Sequence, residues 1–206
     1  MLKIEISINV EIFLFILLFI LIKQIKLYSI FILFILIHEL THMLVGILLG
    51  LKPKKFAIMP FGFKITFDEI KSTKNVELKK IAVAMAGPAI NLIIMCIGIL
   101  FNLSETIIYS NLVIALFNLI PIYPLDGGRI LKSVLNIKLE TKKAYKITNK
   151  VSNISIVILT ALCSILILYI KNLKLIFVLA YLWYVVIKEN KRYKIIKRIY
   201  GIIQNS

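Results

Sequence analysis

His38, Glu39 and His42 form the pattern H-E-x-x-H inside "FILFILIHELTHMLVGILLG", twenty residues that are otherwise almost entirely apolar. On an α-helix, side chains four positions apart lie on nearly the same face, about 40° from each other. Both imidazoles can therefore address one ion, while Glu39 projects to the side, near the remaining coordination position. Zinc accepts neutral imidazoles and keeps a water when a protein supplies only three ligands. These two histidines are the only ones in the chain, and an ionisable group at bilayer depth costs roughly 2.5 kcal/mol or more to insert. A helix with two buried, hydrogen-bonded histidines is the plainer alternative, but nothing in it offsets that cost. The expectation is one Zn2+ ion per chain, with Glu39 as general base.

Membrane helices must hold such a centre, and the composition supplies them. The 206 residues are 60% hydrophobic, too apolar for an ordinary soluble domain. Apolar runs near Ile6–Ile22, Tyr28–Gly50, Ile81–Leu100, Ile107–Ile120, Ile154–Ile170 and Leu173–Ile187 approach the ~20 residues needed to cross a bilayer. The first run follows a single lysine, Lys3, carries Glu11 and lacks a small-residue cleavage site, so it reads as a mature helix rather than a secretory signal. The expected fold is an all-α polytopic membrane protein with about six transmembrane helices. Residues 1–187 form the membrane domain and residues 188–206 a basic amphipathic cytosolic tail.

The net charge of +16 could suggest a nucleic-acid partner, but its distribution argues otherwise. With six spans and a cytoplasmic N-terminus, twenty-two of the 26 lysines and arginines fall on the cytoplasmic side. That is the positive-inside pattern. It places both termini in the cytoplasm and accounts for the charge without nucleic acid. Cys96 and Cys163 sit in separate apolar runs and read as free thiols.

A third ligand must come from elsewhere, and the chain has only two aspartates, Asp68 and Asp126. Depth favours Asp126. The second span enters from outside near Tyr28, which places His38 to His42 about 15–21 Å inward at 1.5 Å per residue. The fourth span also runs inward, reaching about 21 Å by Ile120, where Pro121 and Pro124 must end it. Asp126 then hangs at similar depth on irregular backbone, which is tolerated only when buried in protein or lining a watery cavity. The alternative is that Asp126 caps a helix starting near Arg129. Asn118 is placed to satisfy freed backbone groups or to hold a substrate strand.

Other segments carry weaker signals. His38, His42, Gly46 and Gly50 share one helical stripe, and Gly46-x-x-x-Gly50 lets a neighbouring helix approach closely. "FGFKITFD" alternates Phe61, Phe63, Ile65 and Phe67 with Gly62, Lys64, Thr66 and Asp68, the period of a half-buried strand. With "KFAIM" before it, a small β-hairpin is expected in the 51–80 loop. Its edge, around Phe63 and Ile65, would pair with an extended substrate or simply rest on the membrane. In the tail, Tyr193, Ile196, Ile199, Tyr200 and Ile203 share one face amid lysines and arginines, which suits anionic lipid or, less simply, a docking surface.

"HELTH" at 38–42, "AGPAIN" at 86–91 and "NLIPIYPLDGGR" at 118–129, with the six-span layout, resemble the site-2 proteases, intramembrane zinc metalloproteases. The similarity is greatest to their bacterial sporulation branch. It implies that His38, His42 and Asp126 bind zinc, that Glu39 activates water and that Asn118 positions substrate. Gly87, Pro88 and Asn91 would line the core, although they read equally well as helix-start and packing residues. The resemblance further implies regulated cleavage of a membrane-associated protein near the cytosolic face of a bacterial cell membrane. In the sporulation branch that substrate is a pro-sigma factor, and membrane inhibitor proteins are partners. One alternative is a general protease of this type acting on anti-sigma factors or signal-peptide remnants. Another is a non-catalytic metal-binding membrane protein or transporter, although transporters spread ionisable residues along a path. Longer members of the sporulation branch carry a nucleotide-sensing CBS domain after the last span. This sequence ends nineteen residues after Ile187, so no such domain is expected.

Overall fold

A computed structural model describes residues 5–8, 25–59, 62–67, 73–170 and 175–205. The chain divides into two compact units, Met1–Asn118 and Leu119–Ser206. The first contains β1 (Glu5–Ile8), α1 (Ile25–Leu48), β2 (Pro53–Met59), β3 (Gly62–Phe67), α2 (Lys74–Leu100) and nearly all of α3 (Glu105–Leu119). The second contains α4 (Asp126–Lys138), α5 (Thr141–Ile170) and α6 (Leu175–Asn205). Among the described residues, three helices are long and apolar enough to cross a membrane: Lys26–Leu48, Lys74–Leu100 and Thr141–Leu168. The helix Glu105–Leu119 is apolar but shorter. Leu33, Leu44 and Leu48 on α1 and Ile158, Ile165 and Leu168 on α5 are exposed, as a protein embedded in lipid allows.

The strands form one sheet in the order β1-β2-β3. β1 pairs in parallel with β2, Ile6 lying opposite Phe56. β2 pairs antiparallel with β3, so that Phe63 faces Ile58 and Ile65 faces Phe56. The strand Glu5–Ile8 corrects the sequence expectation of a helix from Ile6. "EISI" alternates polar and apolar residues with the two-residue period of a strand, a signal hidden by the apolar run behind it. The rest of that run, 9–22, lies outside the described residues.

α1 stops at Leu48 because Gly50 adopts φ +77°. The Gly50 amide donates to the Ile47 carbonyl (2.9 Å) and the Leu51 amide to Gly46 (2.8 Å). This is the paired closure of a Schellman motif, which favours glycine because a side chain is disfavoured at positive φ. Gly50 is therefore a helix cap and not the end of a packing stripe; the stripe ends at Gly46, which is buried. α2 begins at the N-cap Thr73, whose side chain accepts from the Val76 amide, and places Glu77 in its first turn, where the helix dipole favours an acid. It then runs through Pro88 to Leu100. Pro88 thus sits inside the helix rather than at its start, and cannot donate to the Ala84 carbonyl.

In the second unit, polar contacts tie α5 to α6. Asn153 and Asn190 exchange amide hydrogen bonds of 3.1 and 2.8 Å, and Trp183 donates to the Thr160 hydroxyl at 2.9 Å. Tyr145 donates to Glu189 and stacks on Tyr193 with centroids 5.6 Å apart. From α4, Lys132 reaches over the rings of Tyr123 (4.8 Å) and Tyr145 (4.3 Å). α6 continues unbroken through Ile187, and Tyr193, expected on the lipid-facing stripe of the tail, stacks on Tyr145 of α5.

Candidate metal centre

The middle of α1 carries the H-E-x-x-H group, and one ligand atom from each of His38, Glu39 and His42 lies within 4.8 Å of the others. Both histidines are buried, at 1% and 2% exposure. Their Nε2 atoms face each other at 3.1 Å, the rings meeting edge-on. The far nitrogens are held by α2. His42 Nδ1 donates to the Val83 carbonyl (2.6 Å), and His38 Nδ1 donates to the Asn91 side-chain oxygen (2.5 Å).

Those contacts decide what the Nε2 atoms are. A carbonyl oxygen only accepts, so each Nδ1 carries a proton, and each neutral ring presents a lone pair at Nε2. Two lone pairs facing each other across 3.1 Å repel unless a proton or a metal ion lies between or beside them. Zinc bound tetrahedrally at about 2.0–2.1 Å holds two nitrogens about 3.3 Å apart, close to the spacing present.

Gly87 leaves the room. A Cβ built on it would stand 2.5 Å from both Nε2 atoms and 2.6 Å from His42 Cε1. The space opposite the nitrogen pair exists because this residue has no side chain, and a donor set of two neutral imidazoles suits zinc. The residues fit the ion. Gly87 and Asn91, which the sequence left between lining and packing, both bear on the imidazoles, and Pro88 is buried beside them.

The remaining sequence candidates are distributed as follows. Asp126 belongs to the second unit and is 4% exposed. It is the first residue of α4, with Leu125 as the N-cap, which corrects the alternative that Asp126 caps a helix starting near Arg129. Arg129 Nη1 lies 3.5 Å from its carboxylate. Side chains are excluded just beyond it: a Cβ on Gly127 would fall 2.1 Å from the Leu119 carbonyl oxygen, and one on Gly128 2.3 Å from the Tyr123 amide nitrogen. The segment containing Pro121 and Pro124 is closed by the Leu125 amide donating to Ile122 (2.8 Å). The Tyr123 amide is anchored on the Ser152 hydroxyl of α5 (2.9 Å). Asn118 donates to the Ile114 carbonyl of its own helix (3.0 Å). Phe63 and Ile65 lie in β3.

Two contributors escaped the sequence reading. One is the Val83 carbonyl, which no residue type announces. The other is Asn111 of α3, whose side-chain oxygen accepts from the Asn91 amide at 2.8 Å. An amide in the middle of an apolar helix was its one visible signal.

The profile of peptidase family M50 matches residues 26–105 and 95–162. A zinc metalloprotease of Methanocaldococcus jannaschii is 33% identical over 124 residues, covering 55% of this chain and 35% of its own length. Stage IV sporulation protein FB of Bacillus subtilis is 32% identical over 129 residues, covering 58% of this chain and 44% of its own length. The chain thus matches less than half the length of these relatives. Among solved structures, a site-2 protease from Methanocaldococcus jannaschii superposes with a TM-score of 0.69 over 92% of both chains, at 24% identity, and shares the fold.

Proposed function

The chain belongs to peptidase family M50, and from that premise we propose that it is an intramembrane zinc endopeptidase. Its substrate would be a membrane-associated protein, cut near the cytosolic face of a bacterial cell membrane. One observation carries this reading: the His38 and His42 Nε2 atoms, 3.1 Å apart, beside the space that Gly87 leaves open.

In this reading His38, His42 and Asp126 hold one ion. The support for Asp126 is its burial at the start of α4 and its place in "NLIPIYPLDGGR". A zinc ion bound there supplies Lewis acidity toward a water and a peptide carbonyl. Glu39, beside the imidazoles, takes a proton from the attacking water and returns it to the departing amine. A peptide bond within a helix is shielded by its own hydrogen bonds, so the substrate must be held extended. β3 pairs on one side only among the described strands, which supports its open edge, around Phe63 and Ile65, as the template for strand addition. Asn118 is proposed to position the same strand.

The chain is proposed to span the bilayer about six times with both termini cytoplasmic, as the positive-inside distribution supports. Residues 1–187 form the protease domain and 188–206 its tail. An open cavity of about 550 Å³ between α5 and α6 is lined by Lys146, Lys150, Asn153, Ile154, Val157 and Tyr193. Lysines give way to aliphatic side chains over successive turns of α5, which supports an anionic phospholipid as a partner. The likeness to a sporulation protein supports a pro-sigma factor as the substrate and membrane inhibitor proteins as partners.

Co-expression with a tagged, membrane-tethered pro-sigma factor tests the proposal, wild type being compared with Glu39→Gln. Loss of the carboxylate should lower cleavage by about 10²–10⁴-fold while bound zinc is retained. Cleavage that survives the substitution overturns the assignment of Glu39. Cleavage of a signal-peptide remnant but not of the pro-sigma factor removes only the sporulation role.

A further inference from the structure

We propose that Asn111 is a positioning residue of the metal centre: acting through Asn91, it dictates which nitrogen of His38 carries the proton, and so keeps Nε2 as the ligating atom. The inference rests on the zinc reading above and extends it to a residue on a third helix.

The relay begins at a backbone carbonyl. Asn111 Nδ2 donates to the Ile107 carbonyl at 2.9 Å. That oxygen can only accept, so the Asn111 amide has one orientation, with Nδ2 toward Ile107. Its oxygen then faces Asn91 and accepts from Asn91 Nδ2 at 2.8 Å. Asn91 is oriented in turn, and its own oxygen is left facing His38 Nδ1 at 2.5 Å. An amide oxygen only accepts, so Nδ1 must hold the proton. A single fixed acceptor on α3 thus sets the tautomer of a ring on α1 through two amides.

Burial makes the relay decisive. His38 is 1% exposed, and Asn91 and Asn111 are 0% exposed. If Asn91 turned over, it would present its NH₂ group to Nδ1, which would then need the lone pair. The proton would move to Nε2, and that nitrogen could no longer ligate a metal. His42 needs no such device, because its Nδ1 meets the Val83 backbone carbonyl directly. The two histidines are therefore oriented by different means, and only His38 depends on side chains from two other helices. Hydrogen-bond partners of metal-bound histidines commonly carry such weight.

The test measures the zinc dissociation constant of the purified full chain by chelator competition, with the visible spectrum of the Co²⁺-loaded protein as a second readout. Asn111→Leu frees the Asn91 amide to turn and should weaken zinc binding by about 10–100-fold. Asn91→Asp presents an oxygen to His38 whichever way it turns, so Asn91→Asp/Asn111→Leu should recover wild-type affinity and the wild-type Co²⁺ spectrum. A packing role for Asn111 predicts no recovery. Unchanged zinc affinity in Asn111→Leu overturns the relay, as does failure of the double variant to recover at equal thermal stability. Asn111→Ala serves the same comparison if the leucine variant does not fold. Wild-type protein that binds no zinc removes the metal reading itself, whereas wild-type binding with an unaffected Asn111→Leu removes the relay alone.

Discussion

Gly87 approaches His42 so closely that a Cβ on it would stand 2.5 Å from the Nε2 atom, and the same atom would stand 2.5 Å from Nε2 of His38. A methyl group there occupies the space beside both lone pairs. Alanine is otherwise well suited to the middle of α2, being about 1 kcal/mol better than glycine in a helix. Gly87→Ala is therefore expected to fold and yet to lose zinc, with affinity falling by at least the ~100-fold seen when a ligand's support is removed. Metal analysis of the purified variant beside its circular dichroism checks this. A variant that keeps stoichiometric zinc would show that the imidazoles do not ligate from this side.

The substrate edge can be tested by the alternation of the strand itself. Along β3, successive amides point alternately toward β2 and away from it. Ile65→Pro and Lys64→Pro should therefore differ, one breaking the pairing with β2 and the other blocking only the outer edge. The variant that keeps the hairpin should still bind zinc and should lose processing of the tethered substrate. Equal processing by wild type and both proline variants would rule out strand addition at β3.

Gly50 separates the fold from the chemistry. At φ +77° an alanine is strained, and Gly50→Ala should lower stability by roughly 1 kcal/mol or more. Its Cβ would meet nothing nearer than Lys79 Nζ at 4.0 Å, so the cost is one of backbone conformation and not of crowding. Denaturant unfolding should register the loss. Zinc affinity should stay at the wild-type level, because the helix closes two turns beyond His42.

The proposed lipid partner is tested at the lysines of α5. Lys146→Gln/Lys150→Gln should reduce the enrichment of anionic phospholipid that co-purifies with the protein, by about 1 kcal/mol of attraction per lysine. Lys194→Gln/Lys197→Gln, an equal loss of charge away from the cavity residues, is the control. Native mass spectrometry of protein in mixed anionic and zwitterionic lipid distinguishes them. Equal loss in both variants would mean diffuse attraction to the surface and no defined groove.

The H-E-x-x-H group was legible because helical geometry alone brings positions 38 and 42 to one face, whatever surrounds them. Gly50 misled for a related reason. Spacing of four suggests a stripe, but a glycine just past a helix end is equally the mark of a cap, and only the end of α1 at Leu48 separates the two. The alternative start near Arg129 lies three residues past the observed one, because the N-cap Leu125 makes no side-chain capping bond and so leaves no signal. Asn111 shows in the sequence only as an amide within an apolar helix, and its role does not show at all. Its partner is twenty residues away on another helix, a pairing created by packing and not by period. Residues 5–8 were absorbed into an apolar run whose hydrophobicity outweighed a four-residue alternation.

α6 extends for 31 residues without a break, about 46 Å at 1.5 Å per residue, whereas the hydrocarbon interior of a bilayer is about 30 Å thick. In the proposed six-span topology its far end stands clear of the lipid as a stiff post, not a loose tether. Any torque applied near Lys197 and Arg198 would travel along that lever to Glu189 and Tyr193, and through Tyr145 to the lysine lying between two aromatic rings. One of those rings, Tyr123, is three residues from Asp126. In that topology the cytosolic end of α6 is tied, through Tyr145 and Lys132, to the turn that carries Asp126.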